Sequence, residues 1–409
     1  MRNFRFLGIV CLWATLGSAQ QPSYLFVWSG DDAKQSSDFL AVLDADPASP
    51  HYGQPLASVA VPGPGGRPHH TEADMPLDGF LVANAFESGR TDVFDLRQPL
   101  HPALAASFGD LDGYMHPHTY VRLPNQHLLA TFQYHGGHDP NSEGGGLVEF
   151  DEHGKVYRSS SAMDPAARGE LIRPYSLVLV PSLDRIVSTN TAMHDADGDS
   201  RTVQVWRLSD LKLLHTVVLP EGPRGSQKFP GEPRLLADGK TVLIHTFSCG
   251  LYKLSGIATG APSAQRVTTF EGEECDVPLV IGHYWLQTLS SLHALAAYDL
   301  SDLSHLREVS RLTFDDKQKP HWIANDQAGR RIVLNSDEHG EHRLFIVNFD
   351  PHTGGLSLDG SFRDHGSDRP GISMDGKSWP HGFHGDAFAH GTVFSRPAPP
   401  SSSSAPPKK

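Results

Sequence analysis

The stretch Pro117-His118-Thr119-Tyr120-Val121-Arg122-Leu123-Pro124-Asn125-Gln126-His127-Leu128-Leu129-Ala130-Thr131-Phe132 decides how the chain is read. His118 to Leu123 is a short apolar run rich in strand formers. Pro124-Asn125 is a turn, and His127 to Phe132 is a second apolar run, so the segment predicts a β-hairpin. A second hairpin follows, from Leu147-Val148-Glu149-Phe150-Asp151 into Lys155-Val156-Tyr157. Two hairpins in succession give a unit of four strands.

The same unit returns along the chain. Tyr175 to Val180 turns at Pro181-Ser182 into Arg185 to Thr189, and Val203-Gln204-Val205-Trp206 then precedes Leu213 to Leu219. Pro233 to Leu236 turns at Asp238-Gly239 into Thr241 to Phe247, and Cys275 to Ile281 passes Gly282 into Tyr284 to Thr288. His321 to Asn325 turns near Ala328-Gly329 into Arg331 to Asn335. A four-stranded sheet cannot cover both faces alone, and repetition at this period is the mark of a β-propeller. The expected fold is therefore an all-β, seven-bladed β-propeller over residues 20–396. The last unit lacks a second hairpin, and the N-terminus offers one, Phe39 to Val61, without an opening hairpin. N-terminal strands are expected to complete the last blade and close the ring.

A proline followed by histidine opens four of these units, at Pro68-His69-His70, Pro117-His118, Pro320-His321 and Pro380-His381. His69 and His118 are 49 residues apart, and His321 and His381 are 60 apart. In a propeller the first strand of each blade lines the central channel, so histidines at one repeat position converge. The predicted metal ligands are His69, His70, His118, His321 and His381, with His116 and His384 as further candidates. Neutral imidazoles suit copper, zinc or another transition metal. Neighbouring residues on a regular strand face opposite ways, so His69 and His70 meet one ion only where the chain after Pro68 is not extended. His135, His138, His194, His339, His342 and His365 lack the positional argument and read as loop residues. Glu72, Asp74, Glu273, Glu274 and Asp276 are expected near the channel mouth. Asp195 to Asp199 resembles a fragment of a calcium loop and reads as a solvated turn.

The first 19 residues have the form of a cleaved secretory signal: Arg2 and Arg5, an apolar core from Phe6 to Leu16, then Gly17-Ser18-Ala19. The core is too short to span a bilayer. The chain is thus expected to be periplasmic or secreted. Its net charge of −13 becomes −15 when Arg2 and Arg5 leave with the leader. An acidic surface without a basic cluster argues against nucleic acid and membrane surfaces as partners. Cys249 and Cys275 remain, either paired in an oxidising compartment or buried as two free thiols. Residues 397–409, rich in proline and serine, are expected to form a disordered tail. No phosphate loop, nucleophile elbow or HExxH is present.

Several anchors resemble one known family. Ser37-Asp38-Phe39-Leu40-Ala41-Val42-Leu43-Asp44-Ala45-Asp46-Pro47-Ala48-Ser49-Pro50, followed by Pro68-His69-His70-Thr71, is similar to the start of the selenium-binding proteins, whose bacterial members are methanethiol oxidases. His118-Thr119, Gly145-Gly146-Leu147-Val148, Tyr298-Asp299-Leu300-Ser301, Gly354-Gly355-Leu356 and Pro380-His381 fit as well. The resemblance implies a seven-bladed propeller holding copper through histidines. It also implies oxidation of methanethiol by O2 to formaldehyde, hydrogen sulfide and hydrogen peroxide, so a small thiol and O2 are the implied partners. Its histidines match His69, His70, His118 and His381, whereas His321 rests on the repeat alone. The chain departs from the family at Thr71-Glu72-Ala73-Asp74-Met75, which has no cysteine, and at Val121, where the family has another histidine. Two other readings of the residues stand beside this one: a non-enzymatic metal- or ligand-binding propeller acting as a scaffold, and a metal-dependent lactonase-like hydrolase, which would want carboxylates about the channel.

Overall fold

In a computed structural model, which describes residues 23–137, 143–194, 198–336 and 338–396, the chain is a seven-bladed β-propeller. The leader and tail expectations, His138 and most of the Asp195 to Asp199 turn lie outside the described residues. Blade 1 runs outward as Pro68–Thr71, Phe80–Ala85, Arg90–Asp95 and Ala103–Phe108. The inner strands of blades 2 to 6 are Tyr114–Arg122, Pro174–Val180, Pro230–Leu235, Pro278–Ile281 and Pro320–Asn325. Each is followed by antiparallel neighbours in sequence order, as the hairpin pattern requires.

Strand alternation sends successive side chains into different interfaces between blades. In Phe80–Ala85, Leu81 and Ala83 pack with Phe26, Trp28 and Phe94 towards blade 7. Val82 packs with Tyr114, Leu128 and Phe132 towards blade 2. Burying a side chain such as Leu81 contributes about 1.5–3 kcal/mol. Inner strands touch inner strands all the way round, Ala387–Phe394 against Pro68–Thr71 included, so the ring is closed.

Closure differs in one respect from the expected pair of hairpins. The C-terminus gives one strand, Ala387–Phe394, and the N-terminus gives three: Tyr24–Asp31, Ser37–Asp44 and Pro55–Pro64. Leu25 pairs with Phe394 and Gly30 with Phe388, so the seam is held by ladder hydrogen bonds and not by a chain connection. The segment before Ala387 is taken up by a small hairpin, Lys377–Ser378 with His384–Gly385.

Six of the seven inner strands carry a β-bulge at the same place. In blade 1 Pro68 pairs with Ala85 and Thr71 with Ala83, so His69 and His70 together oppose the single residue Asn84. The same shift sets His118-Thr119 against Thr131, Tyr175-Ser176 against Thr189 and Gly231-Glu232 against His245. In blade 6 it sets His321-Trp322 against Asn335, and in blade 7 His390-Gly391 against Trp28. A bulge re-aims side chains that a regular strand would send to opposite faces. The proline that opens five of these pairs fits the rim edge, where no ladder donor is needed.

Candidate metal centre

The bulge is the local cause of the site. Its second residue loses a ladder partner, and the opposing side chain supplies one. His70 N–H donates to Asn84 Oδ1 at 2.6 Å and Thr119 N–H to Thr131 Oγ1 at 3.1 Å. Ser176 N–H donates to Thr189 Oγ1 at 3.2 Å and Glu232 N–H to His245 Nδ1 at 2.9 Å. With the backbone satisfied, both bulge side chains turn into the channel. His69 and His70 therefore stack with ring centroids 4.5 Å apart.

Five histidines meet there. His69 Nε2 and His118 Nε2 face each other at 2.9 Å, and His390 lies 4.1 Å from His69 between ring centroids. His70 is 4.4 Å from His118, and His321 is 4.6 Å from His390. One ligand nitrogen from each of His69, His70 and His118 falls within 4.8 Å of the other two. Trp322 closes one side at 4.9 Å from His70, and Tyr175 another at 3.8 Å from His118. All five histidines are buried. Burial, reinforced by the charge each ring would place beside the next, drives the pKa values of His69, His70, His118 and His390 well below the imidazole range, so they stand neutral.

The far nitrogens are oriented from behind. Thr119 Oγ1 is 3.1 Å from His118 Nδ1 and 3.5 Å from His70 Nδ1. Glu232 Oε1 lies 3.7 Å from His70 Nδ1, while Glu232 Oε2 accepts from Ser176 Oγ at 2.6 Å and Arg234 Nη1 at 2.8 Å. Burial opposes ionisation of Glu232, but Arg234 and Ser176 outweigh it and hold the carboxyl below its ordinary range. His321 Nδ1 sits 3.2 Å from Asp276 Oδ2, which also accepts from Ser290 Oγ. Asp276 follows the Cys249–Cys275 disulfide, which ties blade 4 to the entry of blade 5.

The residues present fit a transition-metal ion. His70 Nε2 and His390 Nδ1 are buried without a hydrogen-bond partner, and burying such atoms unpaired is costly. Neutral, converging imidazole nitrogens with carboxylate and hydroxyl groups on the opposite ring atoms are the arrangement metal-binding histidines require.

Of the expected ligands, His69, His70, His118 and His321 come together and His381 does not. His381 lies beside the Gly382 turn, where Gly382 has φ 101°. Its Nδ1 is 2.7 Å from Ser58 Oγ and its ring packs on Phe39. Ser58 belongs to the outermost strand of blade 7, so His381 is on the far side of the blade from the channel. The channel residue of that blade is His390, which sequence reasoning missed. Its inner strand has no proline, so the Pro-His marker selected the wrong histidine. The apolar run Ala387-Phe388-Ala389-His390-Gly391-Thr392-Val393-Phe394, broken by one histidine, is the signal that finds it. His116 instead bonds Phe86 O at 2.9 Å, and His384 bonds Ser378 Oγ at 2.9 Å on the surface.

The candidate acids separate as well. Glu72 is bound by Arg122 at 2.9 Å, and burial, opposed by Arg122, raises its pKa to about 7. Glu72 and Asp74 line a different cavity, with Met75 and Leu123. Glu274 and Asp276 line the cavity that reaches His69, His321 and His390, whereas Glu273 lies in a surface pocket with Arg224 and Ser291.

No family model matches the chain. A methanethiol oxidase from Hyphomicrobium sp. is 30% identical over 226 residues, 50% of this chain and 50% of that protein, so the match spans about half of that relative's length. A solved structure described as a hypothetical selenium-binding protein, from Sulfolobus tokodaii, superposes with a TM-score of 0.71 at 16% identity, covering 92% of this chain and 94% of that one. The chain is thus similar in sequence to a methanethiol oxidase over about half its length, and similar in fold to a selenium-binding protein over most of it. The periplasmic gluconolactonase of Pseudomonas aeruginosa superposes with a TM-score of 0.63 at 13% identity over 92% of this chain and 99% of its own, a likeness of fold alone. Among the described residues, no helix is long and apolar enough to cross a membrane.

Proposed function

We propose that the chain is an exported oxidase of a small sulfur compound, methanethiol or a close analogue, working through a histidine-bound copper ion. The observation that carries this reading is the convergence of His69, His70, His118 and His390, neutral and buried, at one bulge position, in a relative of a methanethiol oxidase. These four would hold the ion, with His321 beside them on Asp276. Copper, when bound, supplies a redox centre with affinity for sulfur and reactivity towards O2. The chain's own groups do the rest. Thr119 and Glu232 set the ring orientation of His118 and His70, and Tyr175 and Trp322 cover the rings of His118 and His70. Overall, one methanethiol, one O2 and one water give one formaldehyde, one hydrogen sulfide and one hydrogen peroxide, in which carbon is oxidised and O2 takes up the two electrons.

Metal analysis of the purified mature protein tests the first half, with one copper per chain expected and none overturning it. O2 uptake with methanethiol tests the second. Copper at full stoichiometry with no uptake would leave a metal-binding propeller and remove the oxidase. Export rests on residues 1–19, and N-terminal sequencing of the mature protein checks it, with a start at or near Gln20 expected.

A further inference from the structure

A cavity of about 320 Å³ opens onto the imidazoles, reaching His69, His321 and His390. Methanethiol has two heavy atoms and fills only a small part of it. The walls are of two kinds. Tyr175, Phe229, Phe247, Met193 and Ala192 make an apolar side, and Phe247 is held against Tyr175 with ring centroids 5.5 Å apart. Arg67, Glu274, Asp276 and Glu338 make a charged side. Among the described residues Arg67 is the one cation on it, and it is already held between Glu338 at 2.8 Å and Glu87 at 3.0 Å. Three carboxylates against one guanidinium leave the charged side, the ion itself apart, more negative than positive. A low-dielectric cleft lined by one sign of charge repels solutes of that sign.

We propose that this vestibule accepts uncharged primary thiols, R–CH2–SH, with substituents larger than the hydrogen of methanethiol, and disfavours thiols that carry a carboxylate. The inference rests on the thiol-oxidase reading and adds the substrate class to it. R packs on Phe229, Phe247 and Met193 while the sulfur reaches the imidazoles. In the balanced change one R–CH2–SH, one O2 and one water give one aldehyde R–CHO, one hydrogen sulfide and one hydrogen peroxide. The C–S bond and one α C–H bond break, a C=O bond forms with the oxygen of water, and O2 accepts the two electrons. The substrate must therefore have a hydrogen on the carbon next to sulfur.

The test first measures thiol binding to the metal-free full chain by calorimetry, with benzyl mercaptan expected to bind more tightly than mercaptoacetate and equal binding overturning the inference. It then measures O2 uptake and hydrogen sulfide release by the metal-loaded full chain with methanethiol, 1-propanethiol, benzyl mercaptan, mercaptoacetate and thiophenol. Benzyl mercaptan and 1-propanethiol are expected within about ten-fold of methanethiol in kcat/KM or above it, since each buried methylene adds binding. Mercaptoacetate is expected at least about ten-fold below 1-propanethiol, and thiophenol, which lacks the α hydrogen, should release no hydrogen sulfide. Phe247→Leu should lower the ratio of benzyl mercaptan to methanethiol, and Glu274→Gln should raise that of mercaptoacetate to 1-propanethiol. Methanethiol turnover with benzyl mercaptan more than ten-fold slower, or with mercaptoacetate equal to 1-propanethiol, overturns the inference and leaves the oxidase. No uptake with any thiol overturns both.

Discussion

One backbone device serves two halves of the channel. In blades 6, 7, 1 and 2 the first bulge residue is an imidazole: His321, His390, His69 and His118. In blades 3 and 4 it is Tyr175 and Gly231, and the second residue is Ser176 and Glu232. The first half presents lone pairs, and the second presents hydroxyl and carboxylate groups that reach the first from behind. The two glycines show how far each place is shaped by its neighbour. A Cβ on Gly231 would stand 2.2 Å from His245 Cε1, and one on Gly391 would stand 2.5 Å from Thr71 N. In blade 4 the ring of His245 stands where a Cβ on residue 231 would be, so that place takes only glycine. The backbone position thus sets where a side chain points, and the residue placed there sets which half of a metal site it serves.

The largest effect should come from emptying the imidazole half. His118→Ala removes the nitrogen opposite His69 and is expected to weaken copper binding by more than ~100-fold, beyond the range seen when only an orienting group is lost. Titration with a competing chelator measures it, and affinity within ten-fold of the unmutated chain would remove His118 from the ligand set. His381→Ala, on the outer side of blade 7, should leave the affinity unchanged. Glu232→Gln breaks the comparison from the other half. It keeps the volume and a hydrogen-bonding oxygen but removes the charge facing His70 Nδ1, so copper affinity should fall by about 10–100-fold with stoichiometry preserved. A change in copper EPR hyperfine splitting separates loosened orientation from lost folding, because misfolded protein would lose copper rather than alter its spectrum.

The fold was legible because hairpins recur, and each needs a partner sheet. Turn pairs such as Pro124-Asn125 and Asp238-Gly239 mark the strands whatever the tertiary context. The site was legible in part. His69, His118 and His321 were placed by repeat position, and that logic holds, since the bulge puts them at one level. What failed was proline as the marker of that position. Proline is tolerated at the strand opening but not required there, and Ala387–Phe394 does without it. Glu232 was hidden for a different reason. It is two residues into a strand that opens Pro230-Gly231, and only pairing with Val242–Thr246 reveals that it and Gly231 together face His245. The bulge itself depends on which residues pair across strands, and hydropathy does not report that register.

The smallest effect expected is also the one that isolates the second half. His245 is fully buried, and burial, opposed by Glu232, lowers its pKa from the ordinary 6.5 to about 4. Between those two values the unfolded chain binds a proton that the folded chain does not. The stability contributed is then complete above pH 6.5 and is lost as pH falls towards 4, by about 1.4 kcal/mol per pH unit for one site. The metal-free protein should therefore lose stability to urea on acidification through this window, with the neutral imidazoles of the other half adding to the slope. In His245→Gln the side-chain oxygen can still accept from Glu232 N–H, but nothing titrates there. The slope between pH 6.5 and 4 should fall by one site's share while the other histidines keep theirs. If the two slopes are equal, His245 gains its proton in the folded state as readily as in the unfolded one. The ring would then be reached by water, and the second half of the channel would be wetter than its burial allows.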